Sequence, residues 1–459
     1  MVVGESKRIV SDNQVYFVSP PFRQYSRPSR GVQRLSGYFP RGMGKASDTT
    51  SGAISKRRAR FLLCSIVLIS LFAVQPFTSV HGQPRQEMMR GRGQTCPIVQ
   101  QGLIILVEFP DVPHTIDKRY AQKRFFKELN EYVQEMSCGK VCIQGDVTDK
   151  WYRMPHPVAE YRISSRNLEV DKSRLTKLIL DALAEVDKDV NLSKYSFVAI
   201  FMGARLKDYG MIGLCGYPGM LGWSTQDILK TKSGQVVRGG VAIFSYQAHL
   251  GTLFHDTAHI LGGVKEGKRM VPCLYDHDLQ AKPGPMQETF VNAVINMGFW
   301  DPMSCHYYKW EMPPPGISSW TKMRLGWLDP SKVRVIKAGE RGEVLLGPLG
   351  DPKAETLATK IPVTESTYYL IENRQAIGFD RNLPGNGVLI MHADDSVAEC
   401  RHGKSPVKLV NANSSVPHLE GAAFDIGKNT SYVDLRHNVK IDLIDKLGNS
   451  YKIQIGPYQ

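Results

Sequence analysis

With 459 residues, 42% apolar and 22% charged, the chain has the length and composition of two or three globular domains. Its net charge of +14 is unevenly spread: residues 1–60 hold 12 Lys/Arg against 3 Asp/Glu, so nine of the 14 charges sit there. The remainder is mildly basic and carries no basic helix interleaved with aromatics, which excludes nucleic acid as the expected partner.

Residues 1–55, rich in Ser, Arg, Gly and Pro, read as a disordered leader, and Met43 is an alternative start. Residues 56–82 read as an export signal: Lys56, Arg57, Arg58 and Arg60, then the 14-residue apolar run Phe61–Val74, then small and polar residues to Gly82. The run is short for a membrane span, so a membrane enters only if this segment stays uncleaved. A secreted protein permits disulfides. Beyond Cys64 in the signal, seven cysteines remain: Cys96, Cys138, Cys142, Cys215, Cys273, Cys305 and Cys400. Cys138 and Cys142 are near enough in sequence to pair, but sequence does not fix connectivity.

After a polar spacer at 83–95, Gly102–Phe109 is an apolar run fit for a central strand. Tyr120, Phe125, Leu129, Tyr132, Val133 and Met136 recur at helical spacing. Short strands are expected at Gly139–Gly145 and Trp151–Met154, and Asp171 caps a second amphipathic helix through Val186. Ser196–Met202 and Gly240–Ser245 read as further strands, separated by a Gly-rich loop over 203–239. An edge strand at Gly240–Ser245 would accept an extended peptide by strand addition.

Next comes His255-Asp256-Thr257-Ala258-His259, behind Leu250, Leu253 and Phe254. On a helix, residues four apart share a face, so both imidazoles can meet one metal ion. Asp256 stands where such helices usually carry the glutamate that handles a metal-bound water's proton. Gly262 suits an abrupt helix end. Gly298–Ser304 reads as a tight turn carrying Met303, which would floor the metal. A helix follows at Ile317–Leu328. Past Asp329-Pro330 the pattern changes to short strands at 333–336, 343–346, 367–372, 387–392, 407–410, 439–444 and 451–455.

Together these stretches resemble the immune inhibitor A-type family of secreted zinc metallopeptidases. The resemblance runs from about Val99 to the C-terminal strands. It rests on Leu103–Pro113, Tyr132–Gly145, the His255–His259 helix, Pro272–Asp276, Gly298–Ser304, Gly316–Leu328, Tyr368–Arg374 and Gly378–Gly385. It implies an α+β fold: a zincin or metzincin-like catalytic domain over 96–330, with a mixed sheet and an active-site helix, then an all-β domain over 331–459. It also implies zinc on His255 and His259, with Met303 beneath. A carboxylate at 256 would be the catalytic general base, and Tyr307 or Tyr308 would donate to the oxyanion.

Three departures bear on activity. Asp256 is one methylene shorter than glutamate, retracting its oxygens by about 1 Å, a displacement that can cost about a hundredfold in rate. The offset where the family offers an acidic third ligand falls on Lys265, and Cys273 replaces the expected acid further on. Cys273 is then either a zinc thiolate or the disulfide partner of Cys305, with Asp276, His277 and Glu266 as other ligand candidates. No long prodomain is present, and Cys96 either blocks the zinc or forms a disulfide. Calcium could sit at His392-Ala393-Asp394-Asp395. Two functions follow: a secreted zinc metalloendopeptidase acting on protein or peptide substrates, or a weak or inactive pseudoprotease kept for extracellular binding or structure.

Overall fold

A computed structural model describes residues 96–225, 229–280 and 291–458. The leader, the export signal, the Met43 start and the spacer lie outside the described residues. Strand β1 (Ile98–Glu108) is the pivot of the first half, and its residues 102–107 are buried on both faces. It pairs in parallel with β2 (Val141–Val147), with the short β3 (Tyr152–Arg153) and with β4 (Phe197–Met202). The sheet continues through β6 (Gly240–Ser245), parallel to β4, and closes on β5 (Gly213–Tyr217), antiparallel to β6. The order is β2-β1-β4-β6-β5, so β6 is internal and the edge belongs to β5, inside the stretch read as loop. The two glycines of Gly-Leu-Cys-Gly-Tyr give a weak strand signal, and pairing with β6 overrides it.

Because side chains alternate across a strand, the sheet serves two cores. Leu103, Ile105, Val198, Ile200, Val241 and Ile243 face α4 (Lys172–Val186), whose Leu175, Leu178, Ile179 and Ala182 complete one core. Asp171 caps that helix by accepting the N–H groups of Ser173 and Arg174. On the other face, Ile104, Leu106, Ala199, Phe201, Ala242 and Phe244 meet two helical stretches. One is α1 (Lys118–Lys123), running through a π-helical turn (Arg124–Leu129) into α2 (Asn130–Met136). The other is α6 (Leu250–Gly262), reached after two four-residue helices, α3 (Val158–Tyr161) and α5 (Leu206–Tyr209). The charged segment after α6 is a hairpin, β7 (Val264–Lys265) with β8 (Lys268–Arg269).

Helix α7 (Ser319–Arg324) precedes the β-rich part. There, β14-β13-β12-β11-β9 and β10-β17-β16-β15 form two sheets. Their ranges, in chain order, are β9 Val333–Val335, β10 Gly342–Leu346, β11 Ala358–Pro362, β12 Thr367–Arg374, β13 Gly387–Asp394, β14 Val407–Leu409, β15 Ser431–Asp434, β16 Val439–Leu447 and β17 Ser450–Gly456. The sheets share a core of Tyr369, Ile371, Ile390, Ile441, Ile453 and Ile455. The sequence pattern did not reveal β11 and β15, whose Lys, Pro, Ser and Asp residues dilute the strand signal. The overall class is thus mixed α/β with a β-rich C-terminal part. Leu370, Leu389 and Met391 from the β-rich part join the same core as Phe254, Trp300 and Met303.

Candidate metal centre

The first ten residues of α6, Leu250–His259, are all buried, which fixes the helix against the sheet. His249 caps its start: Nδ1 accepts the Gly251 N–H at 3.0 Å while Nε2 meets the Met312 carbonyl at 2.8 Å. Gly263 ends it with φ +64° and ψ −158°, a region open to glycine. Between these ends His255 and His259 present their rings side by side, centroids 4.7 Å apart.

Each ring is oriented by a backbone carbonyl. His255 Nδ1 lies 3.0 Å from Pro302 O, in the turn that carries buried Met303, and His259 Nδ1 lies 2.6 Å from Val271 O. Those bonds fix the proton on Nδ1 and leave both Nε2 lone pairs for a ligand. Cys273 Sγ sits 3.4 Å from His255 Nε2 and 3.6 Å from His259 Nε2. The three donor atoms lie within 4.8 Å of one another and could hold a metal ion, and they are the sole group of that kind among the described residues. Burial alone would raise the Cys273 thiol, but the adjacent His259 and His255 rings outweigh it and the net direction is well below the usual thiol range.

Cys273 therefore does not pair with Cys305; both are unpaired with other cysteines. Cys305 is buried and its thiol is pushed up to about 12. The other ligand candidates are not part of the donor group. Glu266 is exposed at the hairpin tip, beside Lys265. Asp276 is fully buried and accepts the N–H groups of Asp278 and Gly403. His277 reaches the cleft, with its ring 4.9 Å from Tyr275. Cys96 is bonded to Cys142, which excludes both the Cys138–Cys142 pairing and a Cys96 thiolate on the metal. At the end of β13, Asp394 accepts from Ser396, and Asp395 accepts from Tyr368.

The donors open into a cleft of about 260 Å³, shared by Asp256, β5 residues Gly213–Cys215, Tyr275 and His306. Asp256 faces β5, its Oδ2 lying against Gly213. Burial pushes its carboxyl up to about 7, and burial likewise drives the His259 imidazole down to about 4. Tyr307 packs on His249 and Trp310, and the Tyr308 hydroxyl donates to Glu420 at 2.9 Å, so neither lines the cleft. Polar groups that line it and that sequence reading passed over include Tyr275, bonded to Asn167, and His306, whose Nδ1 is 2.9 Å from Thr252 Oγ1. Their one signal was sequence proximity to Cys273 and to the Met303 turn.

Comparison with protein-family models gave no match, and comparison with curated proteins gave none either.

Proposed function

We propose that this chain is a secreted zinc metalloendopeptidase of zincin type, related to the immune inhibitor A-type peptidases it resembles, with His255, His259 and Cys273 as zinc ligands and Asp256 as general base. The observation that carries the reading is the donor geometry. With Zn–N of about 2.05 Å and Zn–S of about 2.3 Å, tetrahedral coordination separates nitrogen from sulfur by about 3.5 Å. The observed separations are 3.4 and 3.6 Å. A thiolate carries the same single negative charge as the glutamate of a His₂Glu set, so the metal's net charge is preserved.

Zinc held by these residues would supply Lewis acidity to the scissile carbonyl and would lower the pKa of water to about 7. Asp256 is the group that would take a proton from the attacking water and pass it to the leaving amine. The free edge of β5 supports an extended protein or peptide substrate in the same cleft. Secretion is supported by the Cys96–Cys142 disulfide; no helix among the described residues is long and apolar enough to cross a membrane.

The second reading, a pseudoprotease that keeps the metal and has lost the chemistry, is favoured by one observation: the carboxylate at 256 is the shorter Asp, buried and packed against Gly213 of β5. The deciding experiment measures bound zinc and casein cleavage in the purified protein, in Asp256→Glu and in His259→Ala. About one equivalent of zinc with His259-dependent cleavage supports the peptidase. Zinc without cleavage, and activity gained by Asp256→Glu, supports the pseudoprotease. Neither zinc nor cleavage in any version removes the enzyme reading.

A further inference from the structure

Cys273 comes from a loop rather than from α6, so something must hold its sulfur against the two imidazoles. Its own loop, 270–278, has little regular structure. A segment from the β-rich half, residues 399–404 between β13 and β14, lies across it and is bonded to it repeatedly. Before Cys273, Arg269 donates Nε and Nη2 to the two Glu399 carboxylate oxygens, at 2.9 Å each. After it, the His277 N–H donates to Cys400 O at 3.2 Å, and the Gly403 N–H donates to Asp276 Oδ2 at 2.9 Å. Asp278 gathers the most: Arg401 Nε and Nη2 at 2.8–3.0 Å, and the His402 N–H at 2.7 Å. The loop is thus clamped on both sides of the ligand, by two forked Arg–carboxylate pairs running in opposite senses. One pair takes its Arg from the end of β8, just before the loop, the other from the strap.

We propose that the 399–404 strap is the device that holds Cys273 in ligating position, with Asp278 and Arg401 as its main positioning residues. The inference rests on the reading of Cys273 as a metal ligand. It adds that the metal-binding geometry is completed by the β-rich half, more than 120 residues further along the chain. Partners beyond the ligands commonly tune metal affinity by about 10–100-fold, and here they act through the loop's backbone.

The test uses the full chain and two readouts. The first is the alkylation rate of Cys273 by iodoacetamide in metal-free protein, mapped by peptide mass. The second is Zn²⁺ affinity by chelator competition, with the Co²⁺–thiolate absorption band as a signature. Asp278→Ala and Arg401→Ala are compared with Asp434→Ala, which breaks an ion pair to His437 on the four-stranded sheet. Arg401 is 41% exposed, so its truncation leaves no core cavity. Expected are alkylation about tenfold faster, zinc affinity about 10–100-fold weaker and a diminished Co²⁺ band in both strap variants, with Asp434→Ala unchanged in all three. Unchanged alkylation in both strap variants overturns the inference, as does an equal effect in Asp434→Ala. Faster alkylation confined to the strap variants, in a protein that binds no zinc even as wild type, keeps the strap's hold on Cys273 and removes the metal reading instead.

Discussion

A methyl group at position 213 would meet Asp256 Oδ2 at 2.7 Å and Thr252 Cγ2 at 2.5 Å, so the edge strand approaches α6 this closely only because residue 213 is glycine. The space it leaves is what Asp256 occupies. Gly213→Ala is therefore expected to cost about 1–3 kcal/mol in urea unfolding, through overpacking. It should also move the carboxylate by a fraction of an ångström to about 1 Å, with a loss of cleavage approaching a hundredfold. Full stability and full casein turnover in Gly213→Ala would show that the carboxylate has room to spare. The His pair and its intervening acid were legible at this scale, because helical spacing alone places them on adjacent turns. Cys273 was legible only as one of four candidates, since nothing local sets the path of the loop that carries it.

At the scale of the element, α6 depends on its two ends. Its N-terminal cap needs a lone pair on His249 Nδ1, so protonation there removes the acceptor. Burial, helped by the nearby Arg124 charge, lowers the His249 pKa below its usual value despite the bond to Met312 O. The sign follows from linkage. Between the lowered folded value and the unfolded value of about 6.5, the unfolded chain binds the extra proton. The stabilisation is thus fully present above pH 6.5 and is lost as pH falls through that window. Urea midpoints at pH 7.5 and pH 5 should show the drop, and His249→Asn, which keeps an acceptor without titrating, should reduce it, the remainder coming from the similarly depressed His259 and His306. An unaltered pH slope in that variant would exclude His249 as a source. At the other end, Gly263→Ala forces a side chain into a region held almost solely by glycine and should cost about 1–3 kcal/mol, read as a lowered urea midpoint.

Across the whole molecule, one buried cation ties the two halves together. Arg374, on β12, pairs with Glu372 and Asp380 and also donates to the Trp300 and Gly316 carbonyls, one on each side of Met303 in sequence. Arg374→Met leaves two buried carboxylates without a counter-charge and is expected to cost about 3–5 kcal/mol. The site should fail with it, so zinc content and the urea midpoint should fall together; loss of one alone would separate the β-rich half from the metal centre. The Cys96–Cys142 disulfide links the start of β1 to β2 across 46 residues. On loop-closure entropy, its removal by paired serine substitution should cost about 4 kcal/mol, measured as a fall in denaturation midpoint.

The sequence by itself determined what depends on near neighbours. That includes the buried strands 102–107, 197–202 and 240–245, the helices from 118 and 172, the His255–His259 turn of helix, and the change to short strands beyond 330. Hydrophobic period and caps report backbone conformation within a few residues, and these elements need nothing more. Only the tertiary structure decided which distant pieces meet. It made Gly213–Tyr217 the edge strand, paired Cys96 with Cys142, and put Cys273 rather than an acid beside the imidazoles. It also laid residues 399–404 across the ligand loop and carried a single core past residue 330. Those outcomes follow from sheet register and from contacts between residues tens to more than a hundred positions apart, and no local pattern encodes them.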